Sequence, residues 1–330
     1  MKTVALFLLA AALPAAAQQF VNADVRTQEA GNLAADVRTL SGSETPVWIG
    51  WTVPMLAGHH QTCGEEVDLE SGAASTRDAE GPGSGTLVVL LRAARGQVEK
   101  VRSYSTECRI NAGGSTVTML TGVEPAASVA ELEPLAASQR HSLSNGALYA
   151  IAMHAGPAAE AALDRFVEPG RPDQLREQAI FWLGAARGRA GYEKLSKIVR
   201  EDASPRIREK AVFGLYVSHQ PEATDAIISV ARNDTSPHVR SQALFWLGQS
   251  AAKKSAEAIA NAIEYDPDTD VKKKAVFALS RLPDGEGVTK LIEVARTNRN
   301  PAVRKQAMFW LGQSGDPRAL EFFEDILKQH

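Results

Sequence analysis

Arg176-Glu177-Gln178-Ala179-Ile180-Phe181-Trp182-Leu183-Gly184 returns 32 residues later as Arg208-Glu209-Lys210-Ala211-Val212-Phe213-Gly214-Leu215-Tyr216. It returns again as Arg240-Ser241-Gln242-Ala243-Leu244-Phe245-Trp246-Leu247-Gly248, as Lys272-Lys273-Lys274-Ala275-Val276-Phe277-Ala278-Leu279-Ser280, and as Arg304-Lys305-Gln306-Ala307-Met308-Phe309-Trp310-Leu311-Gly312. One further step back reaches a weaker copy at Ala147 and Tyr149. A fixed step of this size marks stacked supersecondary units, because one unit cannot bury its apolar face alone and its neighbours must cover it.

A second series keeps the same step: Leu163, Leu195, Ile227, Ile259, Leu291 and Phe323. Each sits in a segment with helical apolar spacing, such as Tyr192-Glu193-Lys194-Leu195-Ser196-Lys197-Ile198-Val199. Each unit is therefore two helices. Ser204-Pro205, Ser236-Pro237 and Asn300-Pro301 place a capping residue before a proline at the first helical position, and Asp316-Pro317 opens the last helix alike. Ser128 with Glu131 has capping-box spacing and is expected to open the first helix of the array.

The turns between helices carry Asp202 with Ile207-Arg208, Asp234 with Val239-Arg240 and Asp266 with Val271-Lys272. Asn298 precedes Val303-Arg304, and Gly170 precedes Leu175-Arg176. These residues resemble the HEAT repeat family, especially the HEAT-like repeats of phycobilisome lyases, over about residues 125–330. The resemblance implies an α-solenoid of two-helix repeats; it implies no bilin site. The Asp and Arg residues are expected to bond within and between repeats as a structural ladder.

On a helical wheel Leu175, Ala179, Trp182 and Leu183 face the core, and Phe181 lies on the polar side between Glu177 and Gln178. Second helices of such arrays line the inner curve. The expected groove is thus a row of rings, Tyr149, Phe181, Phe213, Phe245, Phe277 and Phe309, flanked by Gln178, Lys210, Gln242, Lys274 and Gln306. Two readings stand. The row binds an extended peptide or partner helix, or it is packing between neighbouring repeats. Trp182, Gly214, Trp246, Ala278 and Trp310 alternate large and small, which makes the true period two repeats, each Trp filling space beside a small residue.

Residues 18–122 lack the step. Runs such as Val47-Trp48-Ile49-Gly50-Trp51-Thr52-Val53-Pro54, Thr86–Leu91, Gln97–Tyr104, Glu107–Asn111 and Ser115–Thr121 read as strands in antiparallel hairpins. Gly72–Gly85 reads as a mobile loop, and its Gly81-Pro82-Gly83-Ser84-Gly85 lacks the lysine of a phosphate loop.

Upstream, Lys2, the apolar run Val4–Leu13, Pro14 and Ala15-Ala16-Ala17 have the form of a cleavable secretory signal over residues 1–17. The expected organisation is this signal, a small β-rich domain at 18–122, and the solenoid at 123–330. The expected location is periplasmic or secreted, without membrane insertion. There Cys63 and Cys108 favour a disulfide. His59, His60, Cys63 and Cys108 are alternatively a zinc set, although adjacent histidines suit one tetrahedral ion poorly.

The chain carries a formal charge of −3 over 330 residues, with 8 basic and 15 acidic side chains in residues 18–136. Neither part has the basic excess of a nucleic-acid binder. No catalytic set or cofactor motif is legible, so the expected function is a protein- or peptide-binding scaffold rather than an enzyme. The alternative is an enzyme accessory or metal-responsive sensor acting through the β-rich domain.

Overall fold

The computed structural model describes residues 19–63, 65–72, 77–80, 83–250 and 253–328. The expected signal segment lies outside them. The chain divides into two compact units, up to Ala162 and from Leu163.

The first unit contains β1 (Gln19–Val21), β2 (Asp24–Glu29), α1 (Leu33–Ser41), β3 (Val47–Pro54), β4 (His59–Thr62), β5 (Val67–Asp68), β6 (Arg77–Glu80), β7 (Thr86–Ala94), β8 (Gln97–Ser105), β9 (Arg109–Asn111), β10 (Thr116–Thr121), α2 (Pro125–Ala136) and α3 (His141–Met153). Five strands form a sheet in the order β2-β10-β3-β7-β8. The β3-β7-β8 part is antiparallel, as the hairpin signals predict. Its β7–β8 turn places Arg95 and Gly96 both at positive φ, the geometry of a tight two-residue hairpin. By contrast, β10 runs parallel to both β2 and β3, and β1-β9-β5 is a separate parallel sheet. Parallel pairing joins segments far apart in sequence, so local turn signals do not announce it.

Both faces of the five-stranded sheet are covered, which explains the continuous apolar run of β7. Trp48, Val88, Leu90 and Val117 pack with Val67, Leu69, Cys108 and Ile110 of the smaller sheet's side. On the opposite face the buried Trp51 donates its indole N–H to Ser128 of α2 at 2.6 Å. Ser128 Oγ lies 2.8 Å from His154 Nε2, and His154 Nδ1 lies 2.6 Å from the Ala150 carbonyl oxygen. That carbonyl can only accept, so Nδ1 carries the proton and Nε2 accepts from Ser128. Ser128 is therefore buried inside a helix that starts at Pro125, with Glu124 as its cap, and the capping box expected of Ser128 and Glu131 does not form. The sheet holds α2 and α3, and the compact unit extends forty residues past the composition change at 122.

The segment read as a loop at Gly72–Gly85 contains β6, which pairs antiparallel with β4. His59 and His60 lie in β4. Cys63 and Cys108 are joined as a disulfide.

Then α4 (Pro157–Phe166) spans the division. The second unit continues with α5 (Asp173–Ala186), α6 (Gly188–Glu201), α7 (Pro205–Val217), α8 (Ala223–Asn233), α9 (Pro237–Gly248), α10 (Lys253–Tyr265), α11 (Thr269–Ser280), α12 (Glu286–Thr297), α13 (Pro301–Ser314) and α14 (Pro317–Lys328). This is the two-helix array with the 32-residue step. Leu163, Leu195, Ile259 and Leu291 of the first helices are fully buried, as are Ala179, Ala211, Ala243, Ala275 and Ala307 of the second. In α14 the fully buried ring is Phe322, one position before the expected Phe323.

A ladder of buried charge ties each turn to the next. Arg208 donates to both oxygens of Asp234 at 2.7 and 2.8 Å and to the Asp202 carbonyl at 2.8 Å. Arg240 repeats this with Asp266 at 2.7 and 3.0 Å and the Asp234 carbonyl at 2.9 Å. Arg176 pairs with Asp202. Each of these aspartates also accepts the backbone N–H two residues on, which shapes the turn. At Lys272 and Asn298 the rung changes: both instead bond to Glu264.

Candidate binding groove

The second helices α5, α7, α9, α11 and α13 each bury one side and leave Phe181, Phe213, Phe245, Phe277 and Phe309 at the edge of the packed face. Phe181 is 37% and Phe309 54% exposed, and the three between are half-buried. The rings are ordered in pairs. Phe181 stacks on Phe213 at 6.1 Å between centroids and 22° between planes, and Phe245 on Phe277 at 6.3 Å and 16°. Trp246 closes the gap between pairs, 4.7 Å from both Phe213 and Tyr216, the residues that bracket Gly214. Trp310 does the same against Phe277 at 4.9 Å.

The tryptophans, read from the wheel as core, are thus half-buried members of the aromatic row. Their alternation with small residues has a matching cause. Where no Trp intervenes, the helices close: a side chain on Gly184 would strike the Gly214 backbone, and one on Gly248 would lie 2.6 Å from the Ala278 carbonyl oxygen. The rings are glue between repeats, and each keeps some surface free.

Gln178, Lys210, Gln242 and Gln306 flank the row half-buried, and Lys274 is exposed. A cavity of about 400 Å³ opens between α9 and α11, lined by His238, Gln242, Phe245, Asp270, Lys274 and Phe277. Tyr149 lies in α3 of the first unit, and Phe181, Phe213, Phe245, Phe277 and Phe309 lie in the second.

One row was not singled out from sequence although it keeps the same step. The residue four before each Phe reads Glu177, Glu209, Ser241, Lys273, Lys305. Its early members are partnered across repeats, Glu177 in an ion pair with Arg206 and Glu209 in a hydrogen bond with His238 at 3.0 Å.

The model for HEAT repeats matches residues 192–280 and 256–330. Residues 192–330 are HEAT repeats. Solved structures resemble the chain at low identity. The CpcE–CpcF complex of phycocyanin lyase from a Nostoc species is 22% identical, with a TM-score of 0.36, over 46% of this chain and 98% of that one. Human deoxyhypusine hydroxylase in complex with glycerol is 15% identical, with a TM-score of 0.27, over 61% of this chain and 90% of that one. No curated protein sequence matches the chain.

Among the described residues, no group of three or more His, Cys, Asp and Glu is placed to hold a metal ion. In the first unit the disulfide takes up both thiols of the four-residue zinc set, and His59 and His60 are adjacent in β4. The disulfide reading therefore replaces the metal one. No described helix is long and apolar enough to cross a membrane.

Proposed function

We propose that the protein is an exported scaffold that binds a protein or peptide along the second-helix face of its HEAT array. The observation that carries this is the aromatic row. An array built for packing alone gains by burying every ring, since each buried aromatic contributes several kcal/mol. Here Phe181 and Phe309 keep a third to a half of their surface in water, at the edge of a face that also holds an open cavity and polar side chains. Rigid rings at regular spacing lose little entropy on binding, which suits anchors for a partner. The cystine in the first unit and the signal-like start of the chain support export.

The test passes exported proteins of the source cell over immobilised wild-type chain and a Phe181→Ser/Phe309→Ser double variant. Both positions are exposed enough that the variant keeps its helical circular dichroism. The expected result is a partner held by wild type and lost by the variant. A folded variant that keeps every partner overturns the groove. Amino-terminal sequencing of the natural protein tests export, with a mature chain expected to begin near Gln18.

A further inference from the structure

We propose that the partner of this groove is an acidic peptide segment, seated on the C-terminal half of the row with its carboxylates toward Lys274 and Lys305. This rests on the groove reading above and names the chemistry of its occupant.

The charges along the face are graded. In the row four residues before each Phe, glutamate at the α5 and α7 end gives way to lysine at the α11 and α13 end. The glutamates already have partners: Arg206 holds Glu177, His238 is hydrogen-bonded to Glu209 at 3.0 Å, and Lys210 lies 4.0 Å from Glu209. At the other end Lys273 is ion-paired with Asp270 at 2.7 Å and Lys272 donates to the Glu264 carbonyl. Lys274 and Lys305 carry no ion pair among the described residues, and both are exposed. The helices α11 and α13 together hold five basic side chains, Lys272, Lys273, Lys274, Arg304 and Lys305, against the single acid Asp270.

Arg304, whose equivalents Arg208 and Arg240 each grip an aspartate, donates among the described residues to the carbonyls of Asn298 and Arg299. Phe309 is the most exposed ring of the row. Apolar seats next to uncompensated cations are complementary to a segment that mixes apolar and acidic residues.

Nucleic acid is the competing polyanion. It is disfavoured because Asp268 and Asp270 both line the same cavity, where a phosphate chain would meet them. A peptide can space its carboxylates to avoid these positions.

The experiment uses the full chain and four fluorescein-labelled probes: a short peptide of leucine and glutamate, its lysine and glutamine counterparts, and oligodeoxythymidine. Binding is read by fluorescence anisotropy. The glutamate peptide is expected to bind, and to weaken as salt rises. A Lys274→Glu/Lys305→Glu variant is expected to bind it at least about tenfold more weakly, since two attractions become repulsions. Lys328→Glu on α14 serves as the control and leaves affinity unchanged. Equal binding of the glutamine peptide, lost with Phe309→Ser, overturns the acidic partner and leaves the groove standing. Binding of the oligonucleotide at or above the glutamate peptide, or an unaffected double variant, also overturns it. If no probe binds, the acidic inference falls, while the groove is judged separately by partner capture with the phenylalanine variants.

Discussion

Gly184 packs directly on the backbone of Gly214, and the same contact recurs between Gly248 and Ala278. Gly312, the third glycine of the series, has nothing within 4 Å of the place a side chain would occupy. Chemically identical substitutions are thus expected to differ in sign. Gly184→Ala and Gly248→Ala force closed helix pairs apart and cost about 1–3 kcal/mol. Gly312→Ala meets no neighbour and gains up to about 1 kcal/mol of helix propensity. Urea denaturation of the three single variants measures this. Equal shifts for all three would show that close approach does not set the two-repeat alternation.

The ladder makes the array sensitive to acid. Burial pushes the Asp234 carboxyl up, but the Arg208 guanidinium, the Ser236 N–H and the charge of Arg240 outweigh it and hold the group below its usual range. A carboxyl whose pKa is lower folded than unfolded contributes its full stability above the unfolded value, about 3.9. That contribution is lost as pH falls through the folded value. Stability of the array is expected to drop below about pH 4, and Asp234→Asn to flatten that slope. The same variant costs about 3–5 kcal/mol at neutral pH, because Arg208 stays buried without its partner. Urea midpoints across the acid range, for wild type and variant, give both numbers.

The array was legible in sequence because one interface is repeated: each rung, cap and ring appears again 32 residues on. The β topology was not, since β10 finds β2 and β3 through pairings some ninety and seventy residues away. The helices α2 and α3 show the limit of reasoning by period. Ala147 and Tyr149 fit the step, yet a single buried triad of Trp51, Ser128 and His154 ties both helices to the sheet. Within the groove the rings were legible. The pairing of rings was not, because it depends on how closely neighbouring backbones approach.

That triad predicts a large effect from removing one oxygen. Ser128→Ala leaves the buried Trp51 indole N–H without its acceptor, at a cost of about 1–3 kcal/mol. Ser128→Thr restores the hydroxyl and is expected to recover part of the loss. Hydrogen exchange of the Trp51 indole N–H, read by nuclear magnetic resonance, separates this local loosening from any change in the array.

The disulfide offers a test of whether the two units are independent in stability. Cys108 sits fully buried beside Trp48, Leu90 and Ile110, and its bond to Cys63 closes 45 residues. On the chain-entropy account a loop of that length contributes about 4 kcal/mol, by restricting the unfolded chain. Cys63→Ala/Cys108→Ala is therefore expected to destabilise the first unit by about 2–5 kcal/mol. The second unit buries its own core, so its helical transition is expected to stay in place. The two signals are separable, because far-ultraviolet ellipticity at 222 nm is dominated by helices in the array, while hydrogen exchange of the Trp48 and Trp51 indole N–H groups reports the sheet. Two transitions moving apart on loss of the disulfide support separate cores; a single transition moving as one shows that the HEAT array depends on the folded first unit.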